Sequence, residues 1–271
     1  MHEGILLAFL SALSFGINDF INKSLLKSGL DEGFVLWVRF PLATIILTPF
    51  AIMDFELSYR LIIYSLIWLP LEVVAGILFM RALKHLTLGI SVGIYSLMPL
   101  FSALFEAILL GQSPGFTGYF GIFLIILGAL ILGGGIDKSA HILPAIQMLL
   151  SSAIYGLNVV IGRMSVLESS GLFFSWYYAL LMSFGTLIFI KSFEFKTSKY
   201  KTALTGVLFA LGDLFYNLAL AISISAYVSA IERFSFLIAM VLGWVFLKER
   251  VIRVFPAGIL MFIGGLLIGF D

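Results

Sequence analysis

The stretch FTGYFGIFLIILGALILGG, residues 116–134, decides the fold class of this chain. It runs for 19 residues without a charged side chain. A helix needs about 20 apolar residues to cross the hydrocarbon core of a bilayer. The stretch therefore predicts a membrane-spanning helix.

The rest of the chain repeats this pattern between short breaks that carry charges, prolines or glycines. Backbone groups in lipid must find hydrogen bonds within their own segment, so each apolar run is predicted to be a helix. Ten spans are predicted, at residues 4–22, 33–52, 62–81, 87–109, 116–134, 143–162, 172–190, 203–222, 225–246 and 254–270.

The composition agrees with lipid as the main solvent. Hydrophobic residues make up 61% of the 271 residues and charged residues 11%, against about half and a quarter in soluble domains. The net charge of +1 gives no reason to expect a nucleic acid partner. There is no cysteine, and the three histidines lie in predicted loops or termini. No metal site, cofactor or catalytic group is predicted, so the chain is not expected to be an enzyme.

The chain also repeats itself internally. Shifting it by 137 residues places residues 82–130 on residues 219–267. The shift aligns an Ala-Leu pair and two glycines of each part: Ala82-Leu83 with Ala219-Leu220, Gly121 with Gly258, and Gly128 with Gly265. Five helices per repeat is an odd number, which forces opposite orientations in the membrane. We predict two inverted five-helix repeats, residues 1–135 and 136–271, around a central cavity.

These motifs resemble the EamA-type branch of the drug/metabolite transporter superfamily. The resemblance covers nearly the whole chain and rests on Arg39, Arg81-Ala82-Leu83, Pro99, Gly111-Gln112, Leu218-Ala219-Leu220 and Lys248-Glu249. It implies ten helices, a cavity between the halves and transport of metabolites, often by export. Three positions depart from the family pattern: Gln112 replaces an acid, Tyr178 an arginine and Phe236 a proline.

Ionisable residues inside membrane helices are costly, so each is a candidate for function. Glu232 and Arg233 fall on the ninth span, with Ser229 and Phe236 at helical spacing from Glu232. The full set of substrate-binding candidates is Glu232, Arg233, Tyr95, Ser96, Pro99, Phe236, Ser229, Asn18, Asn158, Tyr155 and Arg39. The alternative for these residues is structural, as ion pairs or as polar contacts that hold helices together.

Asp213, Glu232 and Glu72 are the candidates for proton coupling, because each is an acid within a predicted span. Structural pairing is the alternative, with Arg233 as a partner for Asp213 and Arg39 as a partner for Glu72. Asp19 and Glu106 lie near predicted helix ends, where their carboxylates are expected to reach water.

The distribution of lysine and arginine predicts the orientation. The odd-numbered loops carry twelve of these residues and the even-numbered loops two. Cytoplasmic loops are enriched in lysine and arginine, so the odd-numbered loops are predicted to be cytoplasmic. The predicted location is the cytoplasmic, or inner, cell membrane.

Together these patterns predict a secondary transporter that moves a small metabolite by alternating access. An acid beside a base at one site favours an amino acid or another small zwitterion or amphiphile. Proton coupling and export are compatible with the sequence but not required by it. The alternative function is a lipid-linked carrier or flippase of the same fold. The expected partners are a small-molecule substrate and the lipid bilayer, and two fused halves allow a monomer without excluding a homodimer.

Overall fold

The computed structural model describes residues 2–111, 115–133, 138–193, 199–223, 225–249 and 254–269. Within these ranges the chain forms helices and no strand. The α helices are α1 His2–Lys27, α2 Glu32–Trp37, α3 Arg39–Met53, α4 Tyr59–His85, α5 Leu88–Tyr95, α6 Met98–Leu110, α7 Phe116–Gly133, α8 Lys138–Leu167, α9 Gly171–Gly185, α10 Lys199–Ile222, α11 Ser225–Glu232, α12 Phe234–Leu247 and α13 Val254–Gly269. A short 3-10 turn, Leu187–Phe189, follows α9.

The prediction of an all-helical membrane protein is confirmed. Seven helical segments are long and apolar enough to cross a bilayer: Glu3–Lys27, Glu32–Met53, Tyr59–His85, Leu88–Leu110, Ile142–Leu167, Gly171–Phe189 and Lys199–Ile222. Three shorter apolar helices, Phe116–Gly128, Phe234–Leu247 and Phe255–Leu267, fall on the remaining predicted spans. The total of ten crossings stays a prediction.

Several helices extend beyond the apolar runs, which corrects part of the charge count. Lys23 and Arg163 were assigned to loops but lie within α1 and α8. The buried Lys23 ammonium donates to the backbone carbonyls of Leu83 and Leu86, at the end of α4. One charge is removed from each side, so the excess of basic residues on the odd-numbered side remains.

Prolines break two of the segments. Pro99 has no N–H to donate to the carbonyl of Tyr95, four residues earlier, and α5 ends at that tyrosine. The freed Tyr95 carbonyl accepts hydrogen bonds from Ser152 Oγ at 3.2 Å and from Arg233 Nη1 at 3.4 Å. Pro41 stands in the same relation to the end of α2 at Trp37. The first of these breaks thus receives its missing hydrogen bonds from the other half of the chain.

Matching contacts in the two halves support the inverted repeat. Asn18 Nδ2 on α1 donates to the carbonyl of Thr205 on α10 at 3.1 Å. Asn158 Nδ2 on α8 donates to the carbonyl of Trp68 on α4 at 3.2 Å. Shifts of 140 residues for the first helix of each half and 137 for the third convert one bond into the other. Thr44 and Ser183, related by a shift of 139, meet each other with 3.3 Å between their hydroxyls.

The close helix crossings obey the same relation. A Cβ atom on Gly16 would lie 2.8 Å from Ile238 Cβ, and one on Gly156 would lie 2.5 Å from Phe101 Cβ. These two contacts are also converted into each other by the shifts of 140 and 137. The predicted boundary between the halves, residues 135 and 136, lies outside the described residues and stays a prediction.

The crossings give a test of this packing. Gly16→Ala and Gly156→Ala should each destabilise the protein by about 1–3 kcal/mol, because the added methyl group overpacks a helix contact. Gly162→Ala is the control, because no atom lies within 4 Å of its Cβ position and alanine favours a helix. Thermal unfolding of the purified protein in detergent should show a lower Tm for the first two variants alone. An equal Tm for all three would contradict the packing described here.

Candidate functional site

A cavity of about 140 Å³ lies between the two halves. Residues of α1, α3, α4, α5, α6, α8, α9, α10 and α11 form its wall, together with Arg233 at the break before α12. The lining residues are Phe15, Asp19, Arg39, Trp68, Glu72, Phe79, Tyr95, Met98, Tyr155, Asn158, Val159, Gly162, Phe174, Tyr178, Phe209, Asp213, Tyr216, Asn217, Leu220, Glu232 and Arg233.

The wall follows the inverted repeat in position but not in chemistry. The shifts of 137 to 140 residues match its members in pairs: Phe15 with Tyr155, Asp19 with Val159, Arg39 with Tyr178, Glu72 with Phe209, Phe79 with Tyr216, and Tyr95 with Glu232. In no pair do both members carry a charge. The repeat therefore shapes the cavity, whereas the substitutions between its copies distribute the charge.

Glu72 has neutral partners. Its carboxylate accepts a hydrogen bond from the Tyr178 hydroxyl and another from Asn158 Nδ2 at 2.6 Å. The expectation that it pairs with Arg39 is wrong, because the two side chains form no ion pair within 4 Å in the described part of the chain. Glu72 instead links α4 to α8 and α9 across the two halves.

Glu232 and Arg233 contact each other as an ion pair, although they are neighbours in sequence. Arg233 is only 2% exposed. Its Nε donates to the carbonyl of Ser229 at 3.2 Å, and its guanidinium lies 4.7 Å from the ring centroid of Tyr95. This arginine is therefore well supplied with partners from the protein itself.

Asp213 is held by an amide. Asn217 Nδ2 donates to its carboxylate at 3.0 Å and also reaches Ser175 Oγ at 3.0 Å. No ion pair joins Asp213 to Arg233 among the described residues, so the suggested pairing is wrong. The carboxylate stays on the wall of the cavity.

Arg39 and Asp19 are the charged residues of the wall that the protein leaves unpaired. Arg39 lies against the rings of Phe40 and Phe209, 4.8 and 4.9 Å from their centroids. It forms no ion pair in the described part of the chain, and its buried Nε has no hydrogen-bond partner there. Asp19, which was expected to reach water at a helix end, lines the cavity within electrostatic range of Arg39.

Three further polar groups of the wall lack a hydrogen-bond partner among the described residues. They are Trp68 Nε1, Asn158 Oδ1 and the Tyr216 hydroxyl. Buried polar groups are nearly always satisfied, so several unsatisfied groups around one cavity call for an explanation. A polar ligand supplies one.

Five of the predicted site residues lie outside the wall. Asn18 joins α1 to α10, and Pro99 shapes the break that frees the Tyr95 carbonyl. Ser96 lies at that same break, and the carbonyl of Ser229 accepts from Arg233. Phe236 packs so closely on α13 that a Cβ on Gly258 would lie 1.9 Å from its ring. These five act on the cavity through other residues.

Sequence reasoning did not single out most of the aromatic and apolar wall. The residues that it did not propose as wall residues are Trp68, Phe79, Met98, Val159, Phe174, Phe209, Tyr216, Asn217 and Leu220. The register of the repeat contains a usable signal, since the position that matches Glu72 is Phe209. Gly162 was proposed as a possible lining residue, and it borders open space in the cavity.

Polar contacts between the halves lie beyond both ends of the cavity. On the even-numbered side, Glu106 is 4% exposed and binds Arg163 at 3.2 Å and Ser225 Oγ at 2.6 Å. The expectation that Glu106 reaches water is therefore wrong. On the odd-numbered side, Glu249 accepts from the backbone N–H of Leu88 at 2.6 Å and from Lys27 at 3.3 Å.

The same shifts relate these two sets of contacts. A shift of 140 matches Lys23 with Arg163, and a shift of 137 matches Leu88 with Ser225. We call the contacts of Glu106 with Arg163 and Ser225 the even-side lock, and those of Glu249 with Leu88 and Lys27 the odd-side lock.

A double-mutant cycle tests the bonding of Glu72. Tyr178→Phe should destabilise the protein by about 1–3 kcal/mol, because a buried carboxylate loses a donor. In a Glu72→Gln background the same substitution should cost less, since the acceptor is then neutral. Denaturation of the four proteins in detergent gives the coupling energy. A coupling near zero would show that the Tyr178–Glu72 bond contributes nothing to stability.

Comparison with known proteins agrees with this architecture. A solved structure, described only as a crystal structure of a protein, aligns over 96% of this chain and 96% of its own with a TM-score of 0.60. The sequence identity is 14%, so the likeness is one of fold. No curated protein matches the sequence significantly. Residues 2–134 match the model of the EamA-like transporter family. Through these residues the chain belongs to the EamA-like transporter family, within the drug/metabolite transporter superfamily, and is a multi-pass membrane protein of the transporter class.

Proposed function

We propose that this protein is a secondary transporter that carries a small zwitterion, such as an amino acid, across the cytoplasmic membrane by alternating access. One observation carries the proposal. Asp19 and Arg39, an acid and a base, both line a cavity between the halves, and neither forms an ion pair with the described protein. An ammonium and a carboxylate on one ligand would satisfy both.

The size and the neutral groups of the cavity support a small polar substrate. A cavity of about 150 Å³ in another protein holds one benzene molecule, and this cavity measures about 140 Å³. Trp68 Nε1 and the Tyr216 hydroxyl can donate hydrogen bonds to a carboxylate, and Asn158 Oδ1 can accept one from an ammonium. A charged group leaving water needs such replacements for its hydration shell.

The two locks support alternating access. Each joins one half of the chain to the other on its own side of the cavity. Opening the cavity to one side must break the lock on that side, whereas the other can persist. Under the orientation predicted from charge, the odd-side lock closes the cytoplasmic entrance and the even-side lock closes the outer entrance.

Proteoliposomes give the direct test of the substrate class. We expect the wild-type protein to take up at least one member of a labelled amino acid panel and to exchange it in counterflow. Arg39→Gln and Asp19→Asn should each reduce uptake at least about tenfold, because each removes one charge-assisted bond to the substrate. Arg60→Gln is the control, since Arg60 pairs with Glu168 at the surface, away from the cavity.

Two results would count against this proposal. Equal uptake by folded Arg39→Gln, Asp19→Asn and Arg60→Gln proteins would remove the two residues from the site. Movement of labelled lipid with no movement of any amino acid would favour the lipid carrier instead.

Proton coupling is the second part of the proposal, with Asp213 and Glu72 as the proton-binding residues. Both are buried acids on the cavity wall with hydrogen-bond partners other than lysine or arginine. An imposed pH gradient should accelerate amino acid uptake by the wild-type protein several-fold. Asp213→Asn should abolish that acceleration while exchange without a gradient continues. Uptake indifferent to the gradient in the wild-type protein would make it a facilitator.

A further inference from the structure

We infer that Phe209 determines the specificity of this site for a substrate with a carboxylate. It holds the Arg39 guanidinium by its ring face, and it occupies the position where the other half of the chain carries an acid. The inference rests on the proposed function and names the residue that selects the substrate's anionic group.

The contacts of Phe209 place it at the centre of this part of the wall. Its ring lies 4.9 Å from the Arg39 guanidinium carbon and 4.9 Å from the centroid of Phe40. On its other sides it meets Phe15 at 5.9 Å and stacks on Tyr178 at 6.2 Å. An arginine over an aromatic face is stabilised without its charge being neutralised. The guanidinium therefore keeps its hydrogen-bonding capacity for another partner.

The inverted repeat shows what stands at the equivalent position. Shifts of 139 and 137 residues convert Arg39 into Tyr178 and Phe209 into Glu72. In that second copy the contact is a hydrogen bond from the Tyr178 hydroxyl to the Glu72 carboxylate. Both copies thus use the same two positions to join the second span of one half to the third span of the other.

This comparison explains why Arg39 is unpaired. An acid at position 209 would lie where Glu72 lies in the other copy, within reach of the arginine. Its carboxylate would pair with Arg39 and would occupy the same guanidinium edge that a substrate carboxylate needs. A phenyl ring at this position supports the cation and leaves the edge to the substrate.

Phe209→Glu tests the inference, with Phe209→Gln as the control of equal size and no charge. The measurement is equilibrium binding to purified protein in detergent of L-valine and of isobutylamine, which is valine without its carboxylate. If the uptake panel identifies another amino acid, that amino acid and its decarboxylated amine replace this pair.

F209E should weaken valine binding about 10- to 100-fold, because an internal carboxylate replaces that of the ligand at Arg39. Isobutylamine binding should be unchanged or stronger, so the preference between the two compounds should reverse. F209Q should keep the preference for valine. An F209E protein that still prefers valine, or an F209Q protein that loses as much as F209E, would overturn the inference.

Phe209→Leu keeps the test decisive if F209E does not fold. Loss of the ring should weaken valine binding about three- to tenfold without reversing the preference, because Arg39 loses its cation–π support but gains no acid. Unchanged valine binding by F209L would overturn the role of the ring. A wild-type protein that binds no amino acid would overturn both the proposed function and this inference, whereas a wild-type protein that binds valine confines failure to the role of Phe209.

Discussion

A membrane helix can be interrupted only where other groups satisfy the backbone that the interruption exposes, and this constraint organises the centre of the protein. Pro99 frees the carbonyl of Tyr95, and that carbonyl is satisfied by Ser152 and Arg233 of the opposite half. The second span breaks just before Arg39, and the ninth breaks at Arg233. Tyr95, Arg39 and Arg233 all line the cavity. The interruptions and the cavity therefore depend on each other, because the broken helices need polar neighbours and a binding site needs polar groups at this depth.

The inverted repeat then explains how a symmetric frame produces a site for an asymmetric molecule. The two copies retain their packing residues, such as the asparagines at positions 18 and 158 and the glycines at 16 and 156. They differ on the cavity wall, where Glu72 faces Tyr178 in one copy and Phe209 faces Arg39 in the other. Packing tolerates little change in volume. The wall, which borders empty space, is free to exchange an acid for a ring.

The apolar spans, the helical class and the internal repeat could be read from the sequence, because hydropathy and spacing act locally along the chain. The wall could not be read so fully. Phe209 looks like any other apolar residue of a membrane helix until its neighbours are known. Asp19 was placed near a helix end because α1 continues to Lys27, beyond the apolar run. The partners of Glu72 and Asp213 lie on other helices, at orientations that sequence periodicity does not determine.

The central claim is that the halves alternately close the cavity on its two sides, and distances between spin labels test it most directly. The chain has no cysteine, so a pair at positions 59 and 167 reports the even side and a pair at 28 and 248 the odd side without background. Glu106→Gln weakens the even-side lock and Glu249→Gln the odd-side lock. We predict that E106Q lengthens the distance on the even side alone and E249Q on the odd side alone. A change on both sides together in either variant, or on neither side in both, would contradict alternating access by these locks.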